Sequence, residues 1–328
     1  MKADSRGACG RTVDDCASLQ CRPWPRVFPI PLPARSFPCA VISRHTGGMT
    51  SPHHPLDEAL QLHAASPPGA SAGQYQGATH AGYWNMVGPF GGVTAATMLQ
   101  AIAQHPQRLG DPLSLTVNFA GALVAGPFTV QAQPVRTNRS TQHWTLAIVQ
   151  AGADGVQQVT TSATAVTALR RETWSVGDVP MPQVPAPAGQ PAIPPGFGVE
   201  WLNRYEIRLI TGAIPGTWDG TGEHSLTQLW VRDAPPRALD FCALAALADV
   251  FFPRVWLRRA RRVPAGTVSI TVYFHAGSAQ LQQTGTGYLL GQAQGREFRN
   301  GFFDQTAQLW NQAGTMLATS HQIVYYKE

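Results

Sequence analysis

The sequence predicts an α+β chain in which one unit, an antiparallel sheet curled around a central helix, occurs twice in tandem. Three observations carry this. A proline-rich stretch divides the 328 residues, and one apolar helix followed by strands stands on either side of it. Ser114–Phe119 (SLTVNF) and Ser269–Phe274 (SITVYF) match at the same place in that order, which favours duplication. The helix of the second flank is apolar on nearly every face, so it must be buried on all sides.

The head comes first. Residues 1–48 hold seven Lys or Arg and three acids, and so supply +4 of the net charge of +5. The basic balance belongs to the head rather than the body. With no RNP, zinc-finger or helix-turn-helix signature, nucleic acid is not an expected partner. Cys9, Cys16, Cys21 and Cys39 also lie here, at spacings that fit neither a metal site nor a disulfide framework well. There is no continuous apolar stretch of a secretory signal and no periodicity. Met49, directly after Gly47-Gly48, offers an alternative start. Residues 1–48 are therefore expected to be a disordered or non-native extension.

The body is apolar enough to fold: 44% of the chain is hydrophobic and 13% charged, outside the range of disordered chains. No run approaches the roughly 18 apolar residues of a membrane span, so a soluble protein is expected. Its single cysteine, Cys242, points to a reducing compartment, the cytoplasm.

Gly91-Gly92 opens the first helix, about Val93 to His105, with Ala95, Met98, Leu99 and Ile102 spaced i, i+3, i+4, i+7. Alternating segments follow at Leu113–Phe119, Pro127–Arg136, His143–Ala151 and Gln157–Ala168, the last two joined by a turn at Ala153-Asp154-Gly155. Seven prolines between Val176 and Gly198 exclude both helix and central strand and predict an extended linker. The domains expected are thus 49–175 and 199–328, with 176–198 between them.

In the second flank Gln228–Arg232 reads as a strand, and Asp240 as the N-cap of a helix from about Phe241 to Phe252. Leu244, Leu247, Ala248 and Phe251 line one side of that helix; Cys242, Ala245, Ala246 and Asp249 line the other. Strands follow at Val268–His275, Gly287–Gln294, Phe302–Trp310 and Met316–Tyr326. A sheet curled around such a helix is the hotdog arrangement, here a tandem or double hotdog, and paired hotdogs can assemble further into a homo-oligomer.

These residues carry a resemblance. "GPFGGVTAATMLQAIAQ" looks like the Phe-Gly-Gly lead-in to the first central helix of the acyl-CoA thioesterase II family, whose members are double hotdogs. "SLTVNFAGALVAGPFTVQAQPVRTNRSTQHWTLAIVQ" looks like the strands that follow. "LADVFFP", "TVSITVYFHA" and "LATSHQIV" resemble the family's three active-site segments. The resemblance runs from about Gly82 to the C-terminus, the linker excepted. It implies hydrolysis of acyl-CoA thioesters in lipid metabolism, with Asp249, Thr267 and Gln322 holding and activating a water. It implies no metal and no cofactor. The Arg-rich segment between Asp249 and Thr267 departs from the family pattern and bears on substrate choice.

The chemistry suits those residues. Thioester hydrolysis needs a nucleophilic water and a site that tolerates an oxyanion. Burial at the C-terminal end of a helix would raise the pKa of Asp249 toward neutrality. Thr267 and Gln322 offer the donors and acceptors that orient a water. A backbone amide near Gly91-Gly92 would polarise the carbonyl. Taken singly, an aspartate late in a helix, a threonine opening a strand and a glutamine in an alternating strand are ordinary solvent-facing residues; their shared order gives them weight. In the first copy, the position eight residues past Gly155 is Ala163, whereas eight past Gly314 is Gln322, so one site per pair is expected.

Arg254, Arg258, Arg259, Arg261 and Arg262 would suit CoA phosphates, Arg258 and Arg259 foremost; their ordinary reading is a solvated loop. His275 would be a polar lining residue. No G-x-S-x-G elbow, P-loop, H-E-x-x-H or dinucleotide fingerprint is present. Two other readings stand beside hydrolysis: a non-catalytic module that binds acyl groups or acyl-CoA, and an acyl-CoA hydratase or dehydratase, for which no helix presents the required His and Asp.

Overall fold

The computed structural model describes residues 53–65, 73–152, 154–196 and 198–328. The four head cysteines, Met49 and Ala153 of the expected turn lie outside the described residues.

Helix α1 (Pro55–Ala59) starts behind His54, whose ring accepts the Leu56 N–H. Strands β1 (His63–Ala64) and β2 (Gly73–Ala78) precede α2 (Gly91–Ala103). Four strands complete the first half: β3 (Asp111–Phe119), β4 (Pro127–Thr137), β5 (Thr141–Ala151) and β6 (Gln157–Ala168). The second half holds β7 (Tyr205–Thr211), β8 (Thr227–Asp233), α3 (Phe241–Leu247), α4 (Arg254–Arg259), β9 (Ala265–Phe274), α5 (Ser278–Thr284), β10 (Leu289–Gln294), β11 (Phe298–Arg299), β12 (Phe302–Asn311) and β13 (Met316–Tyr326).

The 13 strands of the described residues join one antiparallel sheet in the order β1-β2-β4-β5-β6-β3-β9-β13-β12-β10-β8-β7, with β11 paired to β12. The two halves have the same topology. Chain order β2-α2-β3-β4-β5-β6 gives spatial order β2-β4-β5-β6-β3, and β8-α3-β9-β10-β12-β13 gives β8-β10-β12-β13-β9. This is the double hotdog expected from the sequence. The halves meet where β3 pairs with β9, and here the matched hexapeptides face each other. Thr116 pairs with Thr271, its own counterpart, so the pseudo-twofold axis passes between them; their hydroxyls lie 2.9 Å apart.

The helices fill the concave side. From Thr94 to Leu99 every residue of α2 is buried, as is every residue of α3 from Cys242 to Leu247. The two helices touch because Gly92 has no side chain: a Cβ there would lie 2.5 Å from the Ala246 carbonyl oxygen.

Several expectations change. The second helix stops at Leu247, capped by Ala248, not at Phe252. Val250, Phe251 and Phe252 favour extended backbone, and Phe252 precedes Pro253, which disfavours helix there. The Arg-rich segment begins as α4, and α5 fills the β9–β10 connection. β7 is a further strand, with Tyr205 and Ile207 buried and Glu206 and Arg208 more open. Residues 176–196 have little regular structure, but they are more than a spacer. Met181 and Val184 pack on Trp230, Leu290 and Trp310 of the sheet's outer face, and the Pro185 carbonyl accepts the Trp230 Nε1–H at 2.8 Å.

Candidate active site

Two helix ends meet beside β9 and β13. At one, Phe90 is the N-cap of α2 but offers no side-chain cap, so the first amides of α2 must find partners outside their own helix. The Phe90 ring stacks on Trp201 at 4.2 Å and meets Tyr205 edge-on. At the other, α3 ends and the chain turns, Asp249 N–H donating to the Ala246 carbonyl at 3.1 Å. Ser320 of β13 anchors this turn through a 3.0 Å bond from its hydroxyl to the Ala248 carbonyl.

β13 alternates cleanly. Ala318, Ser320, Gln322 and Val324 are all buried on its inner side. Gln322 thus points inward, where its Nε2 donates to Asp249 Oδ1 at 2.8 Å. Its Oε1 accepts the Thr267 hydroxyl at 3.1 Å. Thr267 reaches it through a bulge. Ile323 pairs with Ser269 and Val324 with Thr267, which leaves Val268 as the extra residue of β9. The added residue reverses the alternation and turns Thr267 to the face that Ile270 occupies.

The Asp249 carboxyl is raised to about 7, chiefly by burial, with Gln322 and the Gly92 backbone N–H holding it lower than burial alone would. The expected push from the end of its own helix does not operate. Helix α3 has ended before Asp249, and the helix terminus that faces the carboxylate is the N-terminus of α2, which favours negative charge. Gly91 is equally close: a Cβ there would stand 2.7 Å from Asp249 Oδ2. Burial also raises the nearby Tyr205 hydroxyl, with contributions from Tyr83, Asp233 and Asp249.

The structure thus brings Asp249, Thr267, Gln322, Gly91 and Gly92 together. Sequence reasoning missed Ser320 and the Phe90, Trp201 and Tyr205 wall. Ser320 had a signal, a second polar residue two before Gln322 on a strand face that is otherwise apolar.

The pseudo-twofold locates the same positions in the first half. Counting from N-caps Phe90 and Asp240, Leu99 stands for Asp249, and Phe241 and Cys242 for Gly91 and Gly92. β3 carries the same bulge as β9, between Pro112 and Ser114, so Pro112 stands for Thr267. Gln322 pairs with Ile270, whose counterpart Leu115 pairs with Ala165. The equivalent of Gln322 is therefore Ala165 and not Ala163, because strand register, rather than distance from the turn, fixes equivalence. An amide is absent at either position.

Residues 80–168 match the profile of the acyl-CoA thioesterase N-terminal domain, and residues 179–326 that of the C-terminal domain. The chain belongs to the acyl-CoA thioesterase family. A hot dog fold protein of unknown function from Alicyclobacillus acidocaldarius is 47% identical, covering 84% of this chain and 99% of its own, with a TM-score of 0.77. An acyl-CoA thioesterase II from Mycobacterium marinum is 19% identical over 83% of this chain and 98% of its own, TM-score 0.63. A dehydratase domain of the Mycobacterium tuberculosis polyketide protein PpsC shares the fold at 10% identity, covering 82% and 98%, TM-score 0.51. No curated protein matches.

For this member of the acyl-CoA thioesterase family, none of the remaining sequence candidates is a hydrogen-bond partner of Asp249 among the described residues. Arg254 is fully buried and donates to the Phe252 and Ser225 carbonyls and to Thr227 Oγ1, so it holds α4 in place rather than facing solvent. Arg258 is exposed and donates to the Gly222 carbonyl; Arg259 pairs with Glu328 at 2.8 Å. His275 is exposed, its Nε2 3.0 Å from Thr319 Oγ1. Eight residues of β9 at ~3.3 Å each set it ~26 Å from Thr267 along the strand. No helix among the described residues is long and apolar enough to cross a membrane.

Proposed function

We propose that this chain hydrolyses acyl-CoA thioesters to the free acid and CoA, with Asp249 as the base that activates water. The observation that supports the reading best is the hydrogen-bonded series Thr267–Gln322–Asp249, with bonds of 3.1 and 2.8 Å, ending on a carboxyl raised to about 7. A general base works best with a pKa near the operating pH. Asp249 takes a proton from a water oriented by Gln322 and Thr267. The water oxygen bonds to the thioester carbonyl carbon, and the N-terminal end of α2, whose Gly92 N–H is held by Asp249, stabilises the oxyanion through its remaining first-turn amides. The C–S bond then breaks, and the proton held by Asp249 passes to the CoA sulfur. Arg258 and Arg259 form the rim that meets CoA phosphates. The functional division is 49–175 and 199–328, and the free thiol of Cys242 accords with work in the cytoplasm.

The test is thiol release from a panel of acyl-CoAs. Release that Asp249→Ala abolishes, with circular dichroism and melting unchanged, supports the reading. Saturable binding with no turnover across the whole panel would replace it with a non-catalytic acyl-binding module.

A further inference from the structure

A cavity of about 170 Å³ is lined by Leu99, Ala103, Arg108, Pro112, Asp240, Phe241 and Cys242, among others. Four of these residues are the pseudo-twofold counterparts of Asp249, Thr267, Gly91 and Gly92. The cavity is therefore the image of the candidate active site, with its chemistry replaced. Leu99 stands where the base would be and Pro112 where the hydroxyl would be. Asp240 accepts the Ala243 N–H at 2.8 Å and so caps the helix end that would have faced an oxyanion. Nothing here activates a water, and burial raises the Cys242 thiol far above its ordinary range, so it remains a thiol.

What remains is a mostly apolar hollow with one free cation in its lining. Arg108 is exposed and lines it, and its guanidinium has no hydrogen bond or ion pair among the described residues. The carboxylate of Asp240 is already matched by Arg237 at 2.6 Å. An apolar cavity of ~150 Å³ accepts a benzene-sized group, and a guanidinium takes a carboxylate through two parallel hydrogen bonds. A nucleotide would need more cations than the lining provides. We propose that this cavity is a second, non-catalytic site for a short fatty carboxylate, with about five carbons in the hollow and the carboxylate on Arg108. The inference is independent of whether the Asp249 site hydrolyses thioesters.

Titration calorimetry with hexanoate tests it, with the Asp249 site occupied by a non-hydrolysable acyl-CoA thioether. Wild type should bind hexanoate saturably and more tightly than hexanol. Arg108→Gln should weaken hexanoate by about tenfold or more and erase its advantage over hexanol. Ala103→Trp, placed at an exposed lining position, should block both ligands while thermal melting stays unchanged. No saturable hexanoate binding to wild type, or binding that neither substitution alters, would overturn the proposal. Acyl-CoA turnover, measured separately on the same variants, should be retained.

Discussion

Gln322→Met asks whether the glutamine tunes the base or merely lies beside it. Its Nε2 donates to Asp249 Oδ1 at 2.8 Å. A hydrogen bond to a charged group contributes about 1.5–3 kcal/mol, and one pKa unit corresponds to about 1.4 kcal/mol. That bond favours the carboxylate over the acid. Removing it should raise the Asp249 pKa from about 7 by about 1–2 units. For a base, activity is present above its pKa and lost as pH falls through it. The acid limb of kcat/KM against pH reports the free-enzyme pKa, so its midpoint should move alkaline in Gln322→Met. The plateau rate should also fall, because the water loses an orienting group. The assay is thiol release from one acyl-CoA from pH 5 to about 10. A limb that stays near 7, or moves acid, would refute the assignment of Asp249 as the base held by Gln322.

Gly91→Ala would place a methyl group 2.7 Å from Asp249 Oδ2. It should lower kcat by about tenfold or more through displacement of the carboxylate while changing the melting temperature little. Asp233 is 3% exposed, its Oδ1 has no hydrogen-bond partner among the described residues, and burial raises it to about 7. The folded state therefore holds this proton more tightly than the unfolded chain does, and stability falls as pH rises from about 4 to 7. Full ionisation costs roughly 4 kcal/mol at about 1.4 kcal/mol per unit. Asp233→Asn should raise stability at pH 8 and flatten the pH dependence of urea unfolding, leaving the similar contribution of Asp249. Arg254→Leu strands two buried acceptors and a third that is partly buried, at ~1–3 kcal/mol for each buried one. It should lower stability by about 3 kcal/mol or more, seen as a reduced urea midpoint.

The double unit was legible because duplication writes itself twice: a helix apolar all round, a matched hexapeptide and strands in one order. The ends of elements were less so. Strand β6 runs over the span its alternation predicts, whereas α3 stops five residues early because Val250–Phe252 and Pro253 outweigh the apolar pattern. Asp249, Thr267 and Gln322 were nameable only through family resemblance. Their contact depends on Val268 as an extra residue in β9, and a bulge is a property of two paired strands that neither strand shows alone. Arg254 reads as part of a charged loop, since a fully buried arginine is rare; only the carbonyls around it explain its place. Ala165 lay out of reach for the same reason as the bulge, because equivalence follows the register of β6 on β3.

Thr116 and Thr271 sit where a rotation carries each onto the other. In an assembly of two identical chains, any substitution would be copied to both sides of such an axis. Joining the copies end to end breaks that bond between twins. One could keep an acid and a thin helix tip, while the other became oily and capped. Under the proposed reaction a single centre occupies only half the architecture, and the spare half is free to recognise something else.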